Sequence, residues 1–227
     1  MKSAGFKIIV LIYFILSGSI IFLPHFASAR RIKESKTLTP EEILAKQGYY
    51  MRPGAGSELG QIKMVSFDWG GVLSEVVNNK DFADKVKSIF GLLKSQGIKI
   101  VLISEGGAQE IENKLKVLGL EQYIDDVEQA YSQEPTRTKR AILENIARRN
   151  GFGDNQIVYF EDSPALIEKM SFKMENQPHI VVVGVVGRKK SDVMFGKDAR
   201  GILDVSSIAI ANLETGLNKT LELLGLK

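Results

Sequence analysis

Residues 65–73, Val-Ser-Phe-Asp-Trp-Gly-Gly-Val-Leu, decide the fold of this 227-residue chain. A short apolar run ends at Asp68, and Gly70-Gly71 follow it at once. β-Branched and aromatic residues favour a strand, and adjacent glycines let the backbone turn sharply and approach a ligand closely. The stretch therefore predicts a buried strand with a carboxylate at its carboxyl end.

Strand and helix patterns alternate outward from this stretch. Short apolar runs rich in β-branched residues lie at 62–67, 98–103, 157–160 and 180–186. Apolar residues at helical spacing lie at 81–96, 108–118, 138–149, 164–170 and 208–224. Strands that alternate with helices form βαβ units, and continuously apolar strands are buried on both faces. We therefore expect residues 61–227 to form one α/β domain, a three-layer Rossmann-like fold around a central parallel sheet.

The first 29 residues have the features of a secretory signal peptide. Lys2 and Lys7 form a positive start, residues 8–23 are almost wholly apolar, and Ala27-Ser28-Ala29 is a small-residue cleavage site. We predict an exported protein, periplasmic or secreted, that contacts the membrane only transiently through this segment. Because the apolar run is at the short end of what spans a bilayer, an uncleaved N-terminal anchor is the alternative.

Residues 30–60 are predicted to form an N-terminal arm with one short helix. Thr39-Pro40-Glu41-Glu42 combines an N-cap, a first-turn proline and a capping-box glutamate, so a helix should begin there and extend to about Gln47. A Pro-Gly-Ala-Gly-Ser stretch at 53–57 then breaks the chain. We expect this arm to act as a surface brace or tether and assign it no site residue.

Composition restricts the chemistry that the chain can perform. Its 44% hydrophobic and 25% charged residues are typical of a globular domain. The absence of cysteine excludes disulfides, thiolate metal sites and a catalytic thiol. The net charge of +3 is not concentrated on a basic segment, so we expect no nucleic-acid partner. Any reaction must therefore use oxygen and nitrogen groups.

Polar side chains are expected to meet at one edge of the sheet, because ligands of a parallel α/β sheet bind beyond the carboxyl ends of its strands. Asp68, Ser104 and Glu161-Asp162 each end an apolar run, and Lys139 lies near the start of the helix before the third of these strands. Carboxylates, a hydroxyl and an ammonium together form an oxygen-rich site for Mg²⁺ with a fixed positive charge beside it. Such a site suits a phosphoryl group.

In this order the residues resemble the motifs of the haloacid dehalogenase (HAD) superfamily of aspartyl-nucleophile hydrolases. The resemblance covers about residues 62–205, and the stretch Glu-Asp-Ser-Pro-Ala-x-Ile that begins at Glu161 is similar to the fourth motif of the β-phosphoglucomutase-like branch. It implies that Asp68 attacks phosphorus and forms an aspartyl-phosphate. It also implies that Lys139 is the second catalytic residue and neutralises the charge that develops there.

The same resemblance implies roles for the remaining site residues. Ser104, Gly70 and Gly71 would bind the phosphoryl group of the substrate. Mg²⁺ would be held by Asp68, by the backbone carbonyl of Gly70, and by Glu161 and Asp162.

Gly70 departs from the pattern of the superfamily's phosphatases. They carry a second aspartate two residues after the nucleophile, which protonates the leaving group and then activates water. Loss of a general acid/base costs on the order of 10² to 10⁴ in rate. The Asp-Trp-x-Gly sequence is also similar to the phosphonoacetaldehyde hydrolase branch, which lacks this aspartate but needs a Schiff-base lysine from a cap domain.

Little room is left for a cap domain. Residues 74–99 can hold a short flap and one helix, and residues 105–138 a helix, a short strand and a loop. We therefore expect a minimal cap or none, and an open site. Glu75 and Glu105 are the nearest candidates to replace the missing acid, but solvated surface positions are expected for both, and Trp69 is expected to pack in the core.

Two functions follow from these residues. The first, which we favour, is an exported Mg²⁺-dependent phosphate-ester hydrolase or phosphotransferase that acts through Asp68 on a phosphorylated substrate, which an open site would allow to be bulky or macromolecular. The alternative is a HAD-like binding module that binds Mg²⁺ and a phosphate group or a protein partner. Such a module would not hydrolyse the bound phosphate ester, because position 70 is glycine.

Overall fold

The computed structural model describes residues 38–58, 60–171, 180–187 and 197–226. The predicted signal peptide and the first residues of the predicted arm lie outside this part of the chain. Among the described residues, no helix has the length and apolar character needed to cross a membrane.

A seven-stranded sheet forms the centre of the described domain. In chain order its strands are β1 (Tyr49–Met51), β2 (Met64–Phe67), β3 (Lys99–Ser104), β4 (Asp126–Gln129), β5 (Ile157–Glu161), β6 (Val181–Val185) and β7 (Ile208–Ile210). Their spatial order is β1-β7-β6-β5-β2-β3-β4. Strands β2 to β7 are parallel, whereas β1 pairs antiparallel with β7. The predicted parallel α/β fold is confirmed.

Helices cover both faces of the sheet. They are α1 (Pro40–Gln47), α2 (Lys80–Ser95), α3 (Ala108–Leu118), α4 (Lys139–Asn150), α5 (Pro164–Ser171), α6 (Lys197–Val205) and α7 (Leu213–Leu223). Buried side chains of α2, α3 and α7 pack in one apolar core, and those of α1, α4, α5 and α6 pack in the other. The result is the expected three-layer arrangement.

Strand β2 shows why its residues must be apolar on both sides. Val65 and Phe67 face the first core and Met64 faces the second, because successive strand residues point to opposite faces. Phe67 stacks on Phe160 of β5 with ring centroids 4.7 Å apart. This packing fixes the ends of β2 and β5 side by side.

The predicted helix at 208–224 is wrong over its first residues. Ile208–Ile210 form strand β7, fully buried between β6 and β1, and the helix begins only at Leu213. The side chain of Asn212 caps it by accepting a hydrogen bond from the Thr215 N–H at 3.0 Å. A three-residue apolar run is too short to show its own periodicity, so the sequence pattern did not separate this strand from the helix that follows it.

Residues that the sequence assigned to an arm contribute to the sheet domain. The predicted capping box is present: Thr39 accepts from the Glu42 N–H, and the Glu42 carboxylate accepts from the Thr39 N–H. Helix α1 ends at Gly48, β1 follows at once, and Leu44 is fully buried in the second core. The edge of the sheet therefore includes residues before position 60, and the sequence did not predict strand β1.

The segments where a cap could be inserted are short. Between β2 and α2 the chain forms only a 3₁₀ helix, Leu73–Asn78. Between β3 and β4 it forms α3 and a 3₁₀ turn, Glu121–Tyr123. Within residues 60–171 no additional domain interrupts the sheet.

Candidate active site at the carboxyl edge of the sheet

The site lies where the order of the strands reverses. From β2 the chain adds β3 and β4 on one side of the sheet and then β5, β6 and β7 on the other. A crevice therefore opens between the carboxyl ends of β2 and β5, which is where doubly wound sheets bind their ligands. Asp68 follows β2 and Asp162 follows β5, so both candidate residues lie at this crevice.

A buried ion-pair network joins three of the predicted residues. The Lys139 ammonium donates to Asp68 Oδ1 at 2.8 Å and to Glu161 Oε2 at 2.8 Å. The side chains of Lys139 and Asp68 are each 7% exposed, and that of Glu161 is 1% exposed. Lys139 is the first residue of α4, where Thr138 caps the helix by accepting from the Ala141 N–H. The turn into α4 thus places an ammonium over the ends of β2 and β5.

Glu161 accepts hydrogen bonds on both of its oxygens. Its Oε1 receives the backbone N–H groups of Asp162 and Ser163 at 3.1 and 3.0 Å. Its Oε2 receives the Tyr159 hydroxyl at 2.8 Å in addition to Lys139. The sequence did not predict Tyr159, although it lies two residues before Glu161 on the same strand. Residues two apart on a strand share a face, and this rule would have found it.

Three carboxylates converge in the way a metal ion requires. Oxygen atoms of Asp68, Glu161 and Asp162 all lie within 4.8 Å of one another. With all three ionised and Lys139 protonated, the cluster carries a net charge of about −2, which a hard divalent cation such as Mg²⁺ balances. The donor set therefore fits the predicted metal. The predicted ligation by the Gly70 carbonyl stays a prediction.

Gly71 allows the backbone to approach the Asp162 carboxylate closely. It has φ +69°, and a Cβ at this position would collide with the Asp162 carboxylate. Gly70 is different, because a Cβ there would meet only Asp68 Oδ2 at 3.6 Å, an ordinary contact. In the turn after Asp68, the backbone thus lies close to Asp162 at position 71, whereas position 70 has space for a Cβ.

Ser104 occupies the predicted place at the end of β3, the strand next to β2. It is 5% exposed, and its Oγ accepts the Gly106 N–H at 3.1 Å. The loops that follow β3 and β4 enclose an open cavity of about 490 Å³, lined by Glu105, Ala130, Tyr131, Ser132, Gln133 and Glu134. Its wall is tied to the sheet by the Ala130 N–H, which donates to the Ser104 carbonyl at 2.7 Å.

The other side chains considered from the sequence differ in burial. Glu105 is exposed as expected, whereas Glu75 is half-buried in the 3₁₀ helix Leu73–Asn78. Trp69 is 7% exposed and packs in the first core, which confirms its predicted packing role.

Burial controls the protonation of the site. It raises the pKa of Asp68 from 3.8 to about 7, an effect that Lys139 opposes and Glu161 and Asp162 increase. Burial alone would lower the pKa of Lys139, but the Asp68 and Glu161 carboxylates outweigh it and raise this pKa. Burial and then the charge of Glu161 raise the pKa of Tyr159 well above its usual value. The tyrosine therefore remains a hydrogen-bond donor.

Comparison with known proteins agrees with this geometry. The family model "Haloacid dehalogenase-like hydrolase" matches residues 27–170. Comparison with curated protein sequences gives no significant match.

Several solved structures share the fold. The 3-deoxy-D-manno-octulosonate 8-phosphate phosphatase of Moraxella catarrhalis, solved with magnesium, phosphate and KDO, is 14% identical with a TM-score of 0.51, over 76% of this chain and 91% of that one. The cobalt-bound deoxy-D-mannose-octulosonate 8-phosphate phosphatase of Haemophilus influenzae is 13% identical with a TM-score of 0.50, over 74% of this chain and 92% of that one. At these identities the similarity shows the fold alone.

Proposed function

The chain belongs to the haloacid dehalogenase-like hydrolase family, and on that basis we propose that it hydrolyses phosphate esters with Mg²⁺, using Asp68 as the nucleophile. One observation carries this proposal. The buried Lys139 ammonium bridges Asp68 and Glu161 at the crevice where the sheet binds ligands, with Asp162 beside them. An aspartyl nucleophile that takes up a phosphoryl group gains from a fixed positive charge beside it, whereas a buried ion pair contributes little to stability by itself.

Asp68 and Asp162 are the residues proposed to hold Mg²⁺ directly, together with the Gly70 carbonyl. Glu161 already accepts four hydrogen bonds on its two oxygens, so we propose that it balances the charge of the ion from beside them. Bound there, Mg²⁺ would supply charge neutralisation for the phosphoryl oxygens. Metal binding would also favour the ionised form of Asp68, which burial disfavours in its absence.

The proposed reaction has two halves. An Asp68 oxygen forms a bond to phosphorus while the bond from phosphorus to the ester oxygen breaks, and the alcohol leaves with the electron pair. The oxygen of a water molecule then forms a bond to the phosphorus of the aspartyl-phosphate while the bond from phosphorus to the Asp68 oxygen breaks. Asp68 returns as a carboxylate, and the protons of the water stay on the inorganic phosphate or pass to solvent. Lys139 neutralises charge at Asp68, and Ser104 donates to a phosphoryl oxygen.

The glycine at position 70 determines which esters react fastest. A leaving group that is a poor base needs no proton, so aryl phosphates bypass the missing acid. We therefore expect hydrolysis of an aryl phosphate to be much faster than hydrolysis of an alkyl phosphate.

The first test is Mg²⁺-dependent hydrolysis of an aryl phosphate by the purified protein and by Asp68→Asn. We expect activity that requires Mg²⁺ and falls at least about a thousandfold in the variant, because loss of a nucleophile removes the covalent route. Equal rates for the two proteins would overturn the role of Asp68.

The open position at Gly70 favours a second candidate function, a binding module. The same family site could hold Mg²⁺ and a phosphate group without turnover if no other group supplies the proton. Mg²⁺ binding by calorimetry, combined with no hydrolysis of the aryl phosphate, would select this function over the first.

We also propose that the protein is exported, to the periplasm or the medium, on the strength of the charged start, apolar run and small-residue cleavage site of residues 1–29. N-terminal sequencing of the protein from its host would show a new terminus at about Arg30, or an intact leader if the segment is an anchor. The partner that we propose is a phosphorylated substrate, with no role for nucleic acid.

A further inference from the structure

The buried side chain of Tyr159 contacts the ion-pair network formed by Asp68, Lys139 and Glu161. The Tyr159 hydroxyl donates to Glu161 Oε2, the same oxygen that Lys139 contacts. Within the described residues, Tyr159 makes no side-chain hydrogen bond to Asp68 or Asp162. We infer that Tyr159 is a positioning residue: through Glu161 it holds the Lys139 ammonium in the orientation that meets Asp68 and the phosphoryl group. This inference rests on the proposed function.

Glu161 is held by donors on every side. A carboxylate has about four lone-pair sites, and Glu161 accepts from Asp162 and Ser163 on Oε1 and from Lys139 and Tyr159 on Oε2. Hydrogen bonds to an ionised group are the strong ones, and those in a buried chain polarise one another. Of these four donors, two are backbone groups fixed by the turn into α5 and one is the lysine to be positioned. Tyr159 is thus the side chain that holds Oε2 in place against Lys139.

The surroundings of Tyr159 make its hydroxyl a rigid anchor. The residue is fully buried on β5, and its side chain belongs to the second core. Its neighbour on β2 is Ser66, which pairs with it in the strand register. Ser66 is also fully buried, and among the described residues its hydroxyl has no hydrogen-bond partner. The two hydroxyls thus share one layer of the sheet, but only that of Tyr159 reaches the network.

This difference supplies a matched pair of variants. Tyr159→Phe removes only the oxygen that binds Glu161 and keeps the ring in the core. Ser66→Ala removes a buried hydroxyl from the same layer of the sheet. That hydroxyl has no hydrogen-bond partner among the described residues. If loss of any buried hydroxyl from this layer weakens the site, both variants will show the loss. If Tyr159 positions Glu161 and Lys139, only Tyr159→Phe will show it.

The test uses beryllium fluoride with Mg²⁺, a stable mimic of a phosphoryl group on a carboxylate, and full-length protein. Its ¹⁹F NMR spectrum reports the donors around each fluorine and requires no turnover. We expect Tyr159→Phe to shift the resonance of the fluorine nearest Lys139 and to weaken beryllium fluoride binding about tenfold, the low end for a hydrogen bond to a charged group. Ser66→Ala should keep the spectrum and the affinity of the wild type.

Kinetics on an aryl phosphate give a second readout when the rate is divided by the concentration of protein that binds beryllium fluoride, because unfolded protein lowers the apparent kcat without changing the KM. Tyr159→Phe should lower kcat about tenfold while the KM and the Mg²⁺ concentration for half-maximal rate stay within about twofold. In the Glu161→Gln background, Tyr159→Phe should have little further effect on beryllium fluoride affinity, because the two residues act through one hydrogen bond.

The outcomes separate this role from the proposed function. If the wild type fails to form the Mg²⁺–beryllium fluoride complex, the proposed function falls and the role of Tyr159 with it. If the wild type forms the complex and Tyr159→Phe matches it, only the positioning role is overturned. Equal losses in Ser66→Ala, additive losses with Glu161→Gln, or a change confined to Mg²⁺ affinity would also overturn it.

Discussion

Gly70 is the residue on which the rate of the proposed reaction depends. A Cβ at this position meets only Asp68 Oδ2, at 3.6 Å, an ordinary contact that requires no movement of the backbone. We predict that Gly70→Asp accelerates hydrolysis of an alkyl phosphate at least tenfold, since a general acid/base contributes on the order of 10² to 10⁴. The kcat/KM of an aryl phosphate should change little, because it reports the steps up to loss of the aryl group and these need no proton. The measurement is kcat/KM for both esters.

The control for this gain is Gly70→Asn, which has nearly the same size as aspartate and no titratable proton. If Gly70→Asn accelerates the alkyl ester as much as Gly70→Asp does, the gain comes from filling space and the argument about the missing acid is wrong.

Gly71 differs from Gly70 because both its positive φ angle and the nearby Asp162 carboxylate disfavour a side chain. Gly71→Ala would place a Cβ at φ +69° against the Asp162 carboxylate. We predict a stability loss of about 1 to 3 kcal/mol from the strained backbone and a fall in Mg²⁺ affinity of about tenfold or more, because Asp162 must move. Calorimetric Mg²⁺ titration and urea denaturation measure the two effects.

Gly151 provides the matched comparison, because it has the same φ of +69° and a Cβ added there would have nothing within 4 Å of it. Gly151→Ala should lose stability through the same backbone strain and bind Mg²⁺ as the wild type does. A similar fall in Mg²⁺ affinity in both variants would show that the Gly71 effect is not due to contact with Asp162.

At the scale of elements, helix α1 belongs to the core of the sheet domain. Leu44 is fully buried in the second core. We predict that Leu44→Ala lowers the free energy of unfolding by about 2 to 5 kcal/mol, as for other buried leucines, while folded molecules keep their kcat. Val117→Ala on α3, where the side chain is 88% exposed, should change stability by no more than about 0.5 kcal/mol. Equal, small effects of both substitutions in urea denaturation would show that the segment is a dispensable arm.

The elements that the sequence predicted are those with a pattern of their own. Strands β2, β3, β5 and β6 are buried on both faces, so their apolar runs are unbroken, and helices α2 to α5 show one apolar face each. Strand β1 is only three half-buried residues and exists because β7 pairs with it. Pairing between residues about 160 positions apart leaves no local signal.

The same distinction applies to the site. Asp68, Lys139, Glu161 and Asp162 could be placed together because topology brings strand ends to one edge, and polar residues that end apolar runs are visible in a sequence. Tyr159 was missed because a tyrosine inside a buried strand reads as core. The rule that residues two apart on a strand share a face places Tyr159 beside Glu161, but the sequence does not show that the hydroxyl reaches the carboxylate.

For the whole molecule, the acidic site links stability to pH. In the metal-free protein, burial raises the pKa of Asp68 to about 7, compared with 3.8 for an exposed aspartate in the unfolded chain. Between these values the folded protein holds a proton that the unfolded chain releases, so stability falls as pH rises. The contribution is fully present below about pH 4 and is lost as the pH rises through about 7. A shift of this size corresponds to a free energy on the order of 4 kcal/mol.

Urea denaturation in a chelator, at about pH 5 and about pH 8, isolates this contribution when Asp68→Asn is measured beside the wild type. We expect the wild type to lose about 3 kcal/mol more than the variant between the two pH values, because asparagine has no proton to release and all other groups are shared. Saturating Mg²⁺ should remove the difference in the wild type, since a bound cation favours the ionised carboxylate and stabilises the fold that binds it. Parallel pH dependence in wild type and variant would show that the Asp68 carboxyl is not protonated in the folded protein, and that the Lys139 ion pair outweighs burial.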